Sequence, residues 1–259
     1  MSLSPSQWHA RFRQQAGWTR QARQYLLRQA GLSGAQRLLE TGCGTGAVLA
    51  ELGEDFTTGL HGLDIRLDYL QLARRNAIGS RLAQGDAHSL PYATGSFEAA
   101  CCHFLLLWVR DPAGVVAELK RVTQPGGAVL LMAEPDYGGR IDHPSELAIL
   151  GKWQSQALRL AGANPYIGRA LAGLLSQNGL AAIEWGVLGG GSSEPPSPQD
   201  WEMEWRVLRA DLEQMLDTLP ERMAEIETLQ ERDRLAWNRQ ERVQFVPTFY
   251  AWGRVPTGG

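Results

Sequence analysis

The sequence is poor in cysteine and has no long apolar run. Only 3 of its 259 residues are cysteines, and Cys43, Cys101 and Cys102 have neither the number for a disulfide framework nor the spacing of metal ligands. We therefore expect no disulfide, no bound metal and a reducing, cytoplasmic environment. The apolar run FLLLWV at 104–109 is far too short to span a membrane. The N-terminal stretch MSLSPSQWHARFRQQ lacks the apolar segment of a secretory signal.

An excess of positive charge is also missing. The chain has 25 Lys and Arg against 28 Asp and Glu, a formal net charge of −3. Such a balance does not favour a polyanionic ligand, so we expect no nucleic-acid partner. Hydrophobic residues make up 44% and charged residues 20% of the chain, as in globular proteins with a sizeable core. We expect a small-molecule partner and a monomer or homodimer.

Segments of strand length alternate with segments of helical periodicity from residue 37 onward. The predicted strands are 37–41, 59–64, 81–85, 97–104 and 128–134, and the predicted helices between them are 46–53, 66–77 and 112–121. This alternation is typical of a parallel sheet with crossover helices. A long helix over 5–30 precedes it.

The second half of the chain is organised differently. It predicts helices over 144–162 and 166–178, a strand over 180–188, a loop over 189–199, helical material over 199–240 and a last strand over 243–252. An apolar stripe runs through the helical material at Trp201, Trp205, Leu208, Leu212, Met215 and Leu219, then at Met223, Ile226 and Leu229 beyond Pro220. We interpret 1–259 as one domain, with 1–34 as a helical cap and 192–240 as a helical insertion that covers the site as a lid. Packing on the core and a dimer contact are the alternatives.

The stretch RLLETGCGTGAVLAEL at 37–52 passes from a strand through three glycines into a helix. The start of a helix after such a turn offers backbone N–H groups and a positive dipole end to a ligand. The turn satisfies G-x-G-x-x-A, so a dinucleotide, and with it an NAD-dependent oxidoreductase, is one interpretation. Glu40 favours another, because a carboxylate before the turn repels a pyrophosphate and attracts a ligand that carries an ammonium group.

Two further carboxylates follow neighbouring strands. Asp64 closes the second predicted strand, where a carboxylate can hold ribose hydroxyls. Asp86 follows the third, where it can accept a hydrogen bond from an adenine amino group while the N–H of Ala87 faces a ring nitrogen. Asp64 alone does not separate the two interpretations, because NAD enzymes also hold a ribose in this way.

Residues 35–135 resemble the class I S-adenosylmethionine-dependent methyltransferases, in the subgroup that includes ubiquinone/menaquinone-type and other small-molecule enzymes. The resemblance rests on LLETGCGTG, GLDI, AQGDAHSLPYATGSFEAA and the block 111–127, whose LKRVTQPGG dinucleotide dehydrogenases do not share. Glu40 stands where the family usually has aspartate, which keeps the carboxylate and lengthens its reach by a methylene group.

This resemblance implies a fold, a cofactor and a reaction. The fold is a doubly wound, mostly parallel seven-stranded α/β sheet, Rossmann-like, with an antiparallel last strand. S-adenosylmethionine would lie across its carboxyl edge and leave as S-adenosylhomocysteine. The methionine part would meet Glu40, Gly42, Cys43, Gly44 and the backbone of His103, the ribose Asp64, and the adenine Ile65, Asp86 and Ala87. The implied reaction is in-line methyl transfer to O, N or C of a small organic acceptor, mainly through positioning.

The acceptor side is harder to identify, because methyl transfer needs a general base only when the acceptor must lose a proton. The catalytic candidates are His103, Tyr137 and His143, with Glu134 and Asp136 as further acid–base groups near the carboxyl edge. The substrate-binding candidates are Trp8, Phe12, Tyr137, Arg140 and Trp201. A non-catalytic module that keeps the cofactor fold is the third interpretation, beside the methyltransferase and the oxidoreductase.

Overall fold

The computed structural model describes residues 3–32, 34–55, 59–188, 195–216 and 222–257, of which 55, 213–216 and 222–223 are described by their backbone alone. The helices are α1 (Pro5–Gln29), α2 (Ala47–Asp55), α3 (Leu67–Asn76), α4 (Pro112–Val122), α5 (Ala148–Leu160), α6 (Leu171–Gln177), α7 (Pro198–Leu216) and α8 (Arg222–Asn238). The strands are β1 (Leu38–Thr41), β2 (Leu60–Asp64), β3 (Arg81–Gln84), β4 (Phe97–Cys102), β5 (Thr123–Pro135), β6 (Ile141–His143), β7 (Ala181–Leu188), β8 (Val243–Phe245) and β9 (Thr248–Arg254).

Seven strands form one sheet in the order β3-β2-β1-β4-β5-β9-β7. The pairs among β1 to β5 are parallel, whereas β9 runs antiparallel to both β5 and β7. The predicted doubly wound, mostly parallel sheet with an antiparallel last strand is therefore confirmed. Its order reverses at β1, where β2 lies on one side and β4 on the other, the position at which open α/β sheets bind ligands.

Each face of the sheet is covered by its own helices, because successive side chains of a strand point to opposite faces. Leu38 packs in one cluster with side chains of α1 and α2, among them Leu26 and Leu49. Leu39 packs in the other cluster with side chains of α4 and α6, among them Leu119 and Leu175. The carboxyl edge of the sheet therefore lies between two packed layers.

Several elements differ from their predicted bounds. The fourth strand ends at Cys102 instead of 104, because Phe104 has a left-handed φ of 52° that interrupts a strand. The predicted helix over 144–162 begins as α5 only at Ala148, after a 3-10 turn over Ser145–Leu147. The predicted last strand is two strands, β8 and β9, separated by Val246 and Pro247, since proline lacks the N–H that a ladder needs.

A short ribbon was not predicted at all. Residues 141–143, which read as part of a connector, form β6 and pair antiparallel with β8. The pairing joins residues about one hundred positions apart, so no local pattern signals it. The ribbon leads directly from the end of β5 and into the start of β9.

The helical insertion packs within the chain. Trp205, Leu208 and Leu212 of α7 and Ile226 and Leu229 of α8 are buried in one cluster with Leu147, Leu150, Trp153 and Ala157 at and before α5. The apolar stripe is thus covered by α5 and by the two inserted helices themselves. The side chains of Met215 and Met223, and Leu219 and Pro220 entirely, lie outside the described residues, as does most of the predicted loop 189–199. Within the described ranges, no helix combines the length and apolar composition that a membrane crossing requires.

Candidate active site

The predicted site residues gather along the carboxyl edge of the sheet. The glycine turn follows β1, Asp64 ends β2, Asp86 follows β3, His103 follows β4 and Tyr137 follows β5. Because neighbouring strands lie about 4.8 Å apart, these five positions span about 19 Å of one edge. That is room for a nucleoside at one end and a second molecule at the other.

The backbone N–H groups of the glycine turn are largely used inside the protein. The N–H groups of Gly42 and Cys43 donate to the Leu63 carbonyl at 2.7 and 3.0 Å, and that of Gly46 donates to Cys43 at 2.9 Å. The N–H of Gly44 donates to Asp64 Oδ2 at 2.8 Å. A pyrophosphate needs free donors, so this turn does not suit one. This geometry therefore does not favour the dinucleotide interpretation.

Glycine is required in the turn by both conformation and space. Gly42 and Gly44 have φ values of 73° and 52°, in the left-handed region. A Cβ on Gly42 would lie 2.7 Å from a methyl group of Leu105, and one on Gly44 would lie 3.2 Å from the Phe12 ring. The turn therefore brings bare backbone to the site between these two side chains.

Glu40 lies beneath this turn with an unused carboxylate oxygen. The residue is 2% exposed, and its Oε2 has no hydrogen-bond partner among the described residues. Burial raises the pKa of Glu40 to about 8, while the nearby Arg23 opposes the rise and Asp64 adds to it. A buried carboxylate oxygen without a partner is costly in the free protein, and a ligand ammonium group would satisfy it.

The nucleoside side of the site has the predicted residues in place. Asp64 is largely buried and accepts N–H bonds from Gly44 and Arg66, the latter at 2.8 Å. Ile65 beside it is 65% exposed, an apolar surface of the kind a planar base covers. Asp86 is exposed and accepts from the backbone and ring of His88 at 2.9 and 2.8 Å. These hydrogen bonds lower the pKa of Asp86, so the carboxylate is ionised and able to accept further bonds.

Helix α1 lies across the glycine turn. Phe12 contacts Gly44, and its ring stacks on Trp8 with centroids 5.7 Å apart. His9 Nδ1 is hydrogen-bonded to Thr45 Oγ1 at 2.8 Å. Trp8 and Phe12, predicted to bind the acceptor, therefore lie over the cofactor end of the site.

His103, which follows β4, is hydrogen-bonded to α1. Its Nε2 is 2.8 Å from Thr19 Oγ1, and Thr19 also accepts from the buried guanidinium of Arg23. Burial holds the pKa of His103 well below its ordinary value, with the charge of Arg23 acting in the same direction. His103 is thus a neutral imidazole whose Nε2 is engaged in a structural bond.

Two buried carboxylates at the end of β5 organise loops. Glu134 accepts N–H bonds from Leu105, Leu106 and Leu107 at 2.8, 2.7 and 3.3 Å, so it shapes the segment that follows β4. Asp136 accepts from Gly138 at 3.0 Å and pairs with Arg169. Both carboxylates are therefore engaged in hydrogen bonds that hold the neighbouring backbone.

Three other candidates are placed differently from the expectation. His143 is exposed on the β6–β8 ribbon, the opposite of the shielded position that a proton-transfer group needs. Arg140 is held by Asp142 at 2.7 Å and by Gln154 at 2.6 Å. The Trp201 N–H donates to Asp233 at 2.6 Å, which fixes the ring between α7 and α8. In the described part of the chain, no group of three or more His, Cys, Asp or Glu side chains is arranged to hold a metal ion.

Beyond β5 lies a polar cluster that sequence reasoning missed. Arg11 of α1 pairs with Glu204 of α7, and Asp211 of α7 accepts from Gln154 of α5 at 2.8 Å. These charged groups surround Tyr137, whose pKa burial raises to about 12. Arg11 and Glu204 look in the sequence like ordinary surface charges of amphipathic helices, and only the packing of α1 on α7 brings them together.

Comparison with known proteins finds similarity to methyltransferases. Residues 39–131 match the family model described as a methyltransferase domain. The chain is 33% identical over 124 residues to a demethylmenaquinone methyltransferase of Renibacterium salmoninarum, covering 47% of this chain and 52% of the relative. It is 34% identical over 122 residues to a malonyl-[acyl-carrier protein] O-methyltransferase of Erwinia pyrifoliae, covering 46% and 45%. The chain spans about half the length of the curated relatives it matches.

The fold is shared with solved structures at lower identity. A phosphoethanolamine N-methyltransferase of Haemonchus contortus, in complex with phosphomonomethylethanolamine and S-adenosylhomocysteine, superposes with a TM-score of 0.58. The superposition covers 92% of this chain and 53% of the other at 16% identity, which shows the fold alone. The matched segment holds the glycine turn, Asp64 and Asp86 at the carboxyl edge of a sheet of the same architecture. Residues 39–131 of this chain are therefore similar in sequence to a methyltransferase domain, and the chain has the fold of solved methyltransferase structures.

Proposed function

We propose that this chain transfers the methyl group of S-adenosylmethionine to O, N or C of a small organic acceptor. The observation that carries the proposal is the buried, unpartnered carboxylate oxygen of Glu40 beneath a turn in which the N–H groups of all three glycines and of Cys43 are already used. A cationic ligand satisfies such a site and a pyrophosphate does not. The same observation argues against an NAD-dependent oxidoreductase.

The residues present fit the cofactor part by part. Glu40 would hold the ammonium group, while Gly42, Cys43 and Gly44 would bring bare backbone against the methionine part. Asp64 would accept from the ribose hydroxyls, and Ile65, Asp86 and Ala87 would enclose the adenine. When bound, S-adenosylmethionine supplies a methyl group on a positively charged sulfur. A lone pair of the acceptor would attack the methyl carbon, and the sulfur would leave.

The contribution of the protein is mainly alignment and exclusion of water. Holding two reactants in line can supply on the order of 7–11 kcal/mol of the barrier. Helix α1 covers the cofactor end, and Arg11 and Gln14 tie it to Glu204 and Asp200 of α7. We therefore keep the interpretation of 1–34 as a cap and 192–240 as a lid over the acceptor. The free, buried thiols of Cys43, Cys101 and Cys102 agree with a reducing cytoplasm.

Titration calorimetry with three ligands tests the cofactor assignment. S-adenosylmethionine and S-adenosylhomocysteine are expected to bind with a stoichiometry of one, and NAD is expected not to bind. Saturable NAD binding without binding of either adenosyl ligand would establish the oxidoreductase interpretation. Release of S-adenosylhomocysteine is then measured with a panel of hydroxyl, carboxyl, amine and carbon acceptors. A protein that binds both adenosyl ligands and methylates none of the panel would favour the non-catalytic module.

A further inference from the structure

Arg11 of α1 has a buried N–H group without a hydrogen-bond partner. The residue is 8% exposed. Its Nη1 donates to Gln14 at 2.6 Å and pairs with Glu204, whereas its Nε has no partner among the described residues. Buried donors are nearly always satisfied, and one left unpaired at the edge of an active site indicates a ligand that brings an acceptor atom.

Three helices and the segment after β5 bring further polar side chains close to this group. Glu204 and Asp211 lie two turns apart on α7 and so share a face. Gln154 of α5 donates to Asp211 at 2.8 Å and accepts from Arg140 at 2.6 Å. We call this group of side chains (Arg11, Tyr137, Gln154, Glu204 and Asp211) the acceptor chamber.

Tyr137 supplies a second hydrogen-bond donor and lines a nearby cleft. Its hydroxyl makes no hydrogen bond to any residue in the described ranges. Burial raises the pKa of Tyr137, with Asp211 and Glu204 adding to the rise and Arg11 and Arg140 opposing it, so the hydroxyl keeps its proton. Tyr137 and Arg140 also line a cleft of about 520 Å³ beside α5.

The charges of the chamber define what it accepts. Arg11 and Glu204 compensate each other, and Arg140 is held by Asp142. Asp211 has no cationic partner within hydrogen-bond distance among the described residues. Burial raises the pKa of Asp211 to about 6, while Gln154 and Arg11 oppose the rise and Glu204 adds to it. Asp211 is therefore mostly ionised at neutral pH and able to accept a proton.

We propose that Arg11 and Tyr137 bind an oxygen atom of the methyl acceptor and that Asp211 faces the proton of a hydroxyl acceptor, so that the acceptor is an oxygen compound (a hydroxyl compound or a carboxylate). This inference rests on the proposed methyl transfer. A protonated amine has no lone pair to accept from Arg11 and Tyr137. For a hydroxyl acceptor, the O–H bond breaks, the proton passes to an oxygen of Asp211, and the electron pair stays on the acceptor oxygen. A carboxyl acceptor arrives already ionised at neutral pH and needs no such step.

The test uses three matched one-ring probes observed by fluorine NMR: para-fluorophenol, para-fluorobenzoate and para-fluorobenzylamine. Each is titrated into the full chain with and without S-adenosylhomocysteine. At least one oxygen probe is expected to bind saturably, with a dissociation constant near or below about 1 mM. Tighter binding of the phenol identifies hydroxyl acceptors, and tighter binding of the benzoate identifies carboxyl acceptors. Absence of saturable binding by both oxygen probes overturns the proposal.

Conservative variants locate the binding. Arg11→Lys keeps the charge opposite Glu204 but lacks the Nε–H group, so it is expected to weaken the oxygen probes about tenfold. Arg13→Lys, the same change at an exposed position of α1, is the matched control and is expected to change nothing. Tyr137→Phe removes the second donor and is expected to weaken the same probes at least threefold. Thermal unfolding of each variant verifies that the fold is kept.

Asp211→Asn separates the role of the carboxylate from simple packing. Loss of the negative charge is expected to strengthen para-fluorobenzoate and to weaken para-fluorophenol, opposite signs that a structural role would not produce. Equal changes for both probes would overturn the assignment of Asp211. Preferential binding of the benzylamine, lost in Asp211→Asn, would show a cation site and overturn the proposal as a whole. Calorimetry with S-adenosylhomocysteine on the same samples reports independently on the proposed function.

Discussion

Cofactor binding by this chain is expected to depend on pH through Glu40. The carboxyl group is buried and its pKa lies near 8, so at pH 7 only about a tenth of the free protein carries the charge that an ammonium group needs. Ionising it at pH 7 costs about 1.4 kcal/mol, a factor of about ten in affinity. The association constant for S-adenosylmethionine is therefore expected to rise about tenfold from pH 6 to pH 7.

Two measurements on one instrument check this expectation. Calorimetric titrations between pH 6 and 7.5 give the slope, and titrations at pH 7 in two buffers of different ionisation enthalpy give the proton count. Nearly one proton is expected to be released for each cofactor bound. Glu40→Gln keeps the volume and an acceptor oxygen but cannot ionise, so both the slope and the proton release are expected to vanish. Glu54→Gln, on an exposed side chain of α2, is the matched control.

The stability of the protein without cofactor gives an independent test of the Glu40 pKa. Because the folded-state pKa of Glu40 is raised, the folded chain binds this proton more tightly than the unfolded chain. The contribution of Glu40 to stability is complete below its ordinary pKa of 4.5 and is lost as the pH rises to about 8. Glu40→Gln is expected to flatten this part of the stability profile in urea unfolding. A wild-type affinity that is constant from pH 6 to 7.5, or a slope that persists in Glu40→Gln, would refute the reasoning.

Further changes test the other parts of the site. Glu40→Gln is also expected to weaken S-adenosylmethionine more than S-adenosylhomocysteine, because the carboxylate acts on the sulfonium as well as the ammonium; equal losses in calorimetry would limit its action to the shared ammonium group. Asp64→Ala is expected to weaken both ligands tenfold or more, since each ribose hydroxyl loses a charged acceptor worth roughly 1.5–3 kcal/mol; unchanged affinity in a folded variant would remove Asp64 from the site. Glu134→Gln is expected to lower the free energy of unfolding in urea by roughly 1–3 kcal/mol, because an amide cannot serve all the N–H groups of 105–107; a loss below about 0.5 kcal/mol would contradict its organising role. Replacing 192–240 by a short turn is expected to keep cofactor affinity within about tenfold, or 1.4 kcal/mol, while abolishing methyl transfer. Full activity in a folded variant would refute the role of 192–240 as a lid. Loss of folding together with loss of cofactor affinity would show that these helices belong to the core.

The central sheet and the cofactor half of the site were predictable because their signals are local. Buried parallel strands are short apolar runs, and each ends in a residue with distinct chemistry, as Glu40 and Asp64 do. The parallel arrangement then places these ends on one edge without further information. Which N–H groups of the glycine turn are free is not local, because the carbonyl of Leu63 that uses two of them belongs to a different strand.

The acceptor half could not be predicted for the same reason. Arg11 and Glu204 are 193 positions apart, and each alone is a charged residue on an amphipathic helix. Pro247 divides the last strand, so β8 is free to pair with β6. Asp142 on this ribbon and Gln154 on α5 then hold Arg140. Tyr137 was found because it follows a strand, whereas its partners come from helices whose mutual packing no periodicity encodes.

The position of β9 between β5 and β7 affects how the chain is made. Until residue 254 has left the ribosome, β5 and β7 each present an unpaired edge of backbone, and the long apolar strand β5 is the more exposed of the two. Domains are synthesised at about 5–20 residues per second, so the roughly 120 residues between the ends of β5 and β9 correspond to about 6–24 seconds of exposure. Unpaired edges template association with other chains. Slowing translation after residue 188, or deleting 248–254, should therefore cause this protein to aggregate before any loss of ligand binding at its site is measurable.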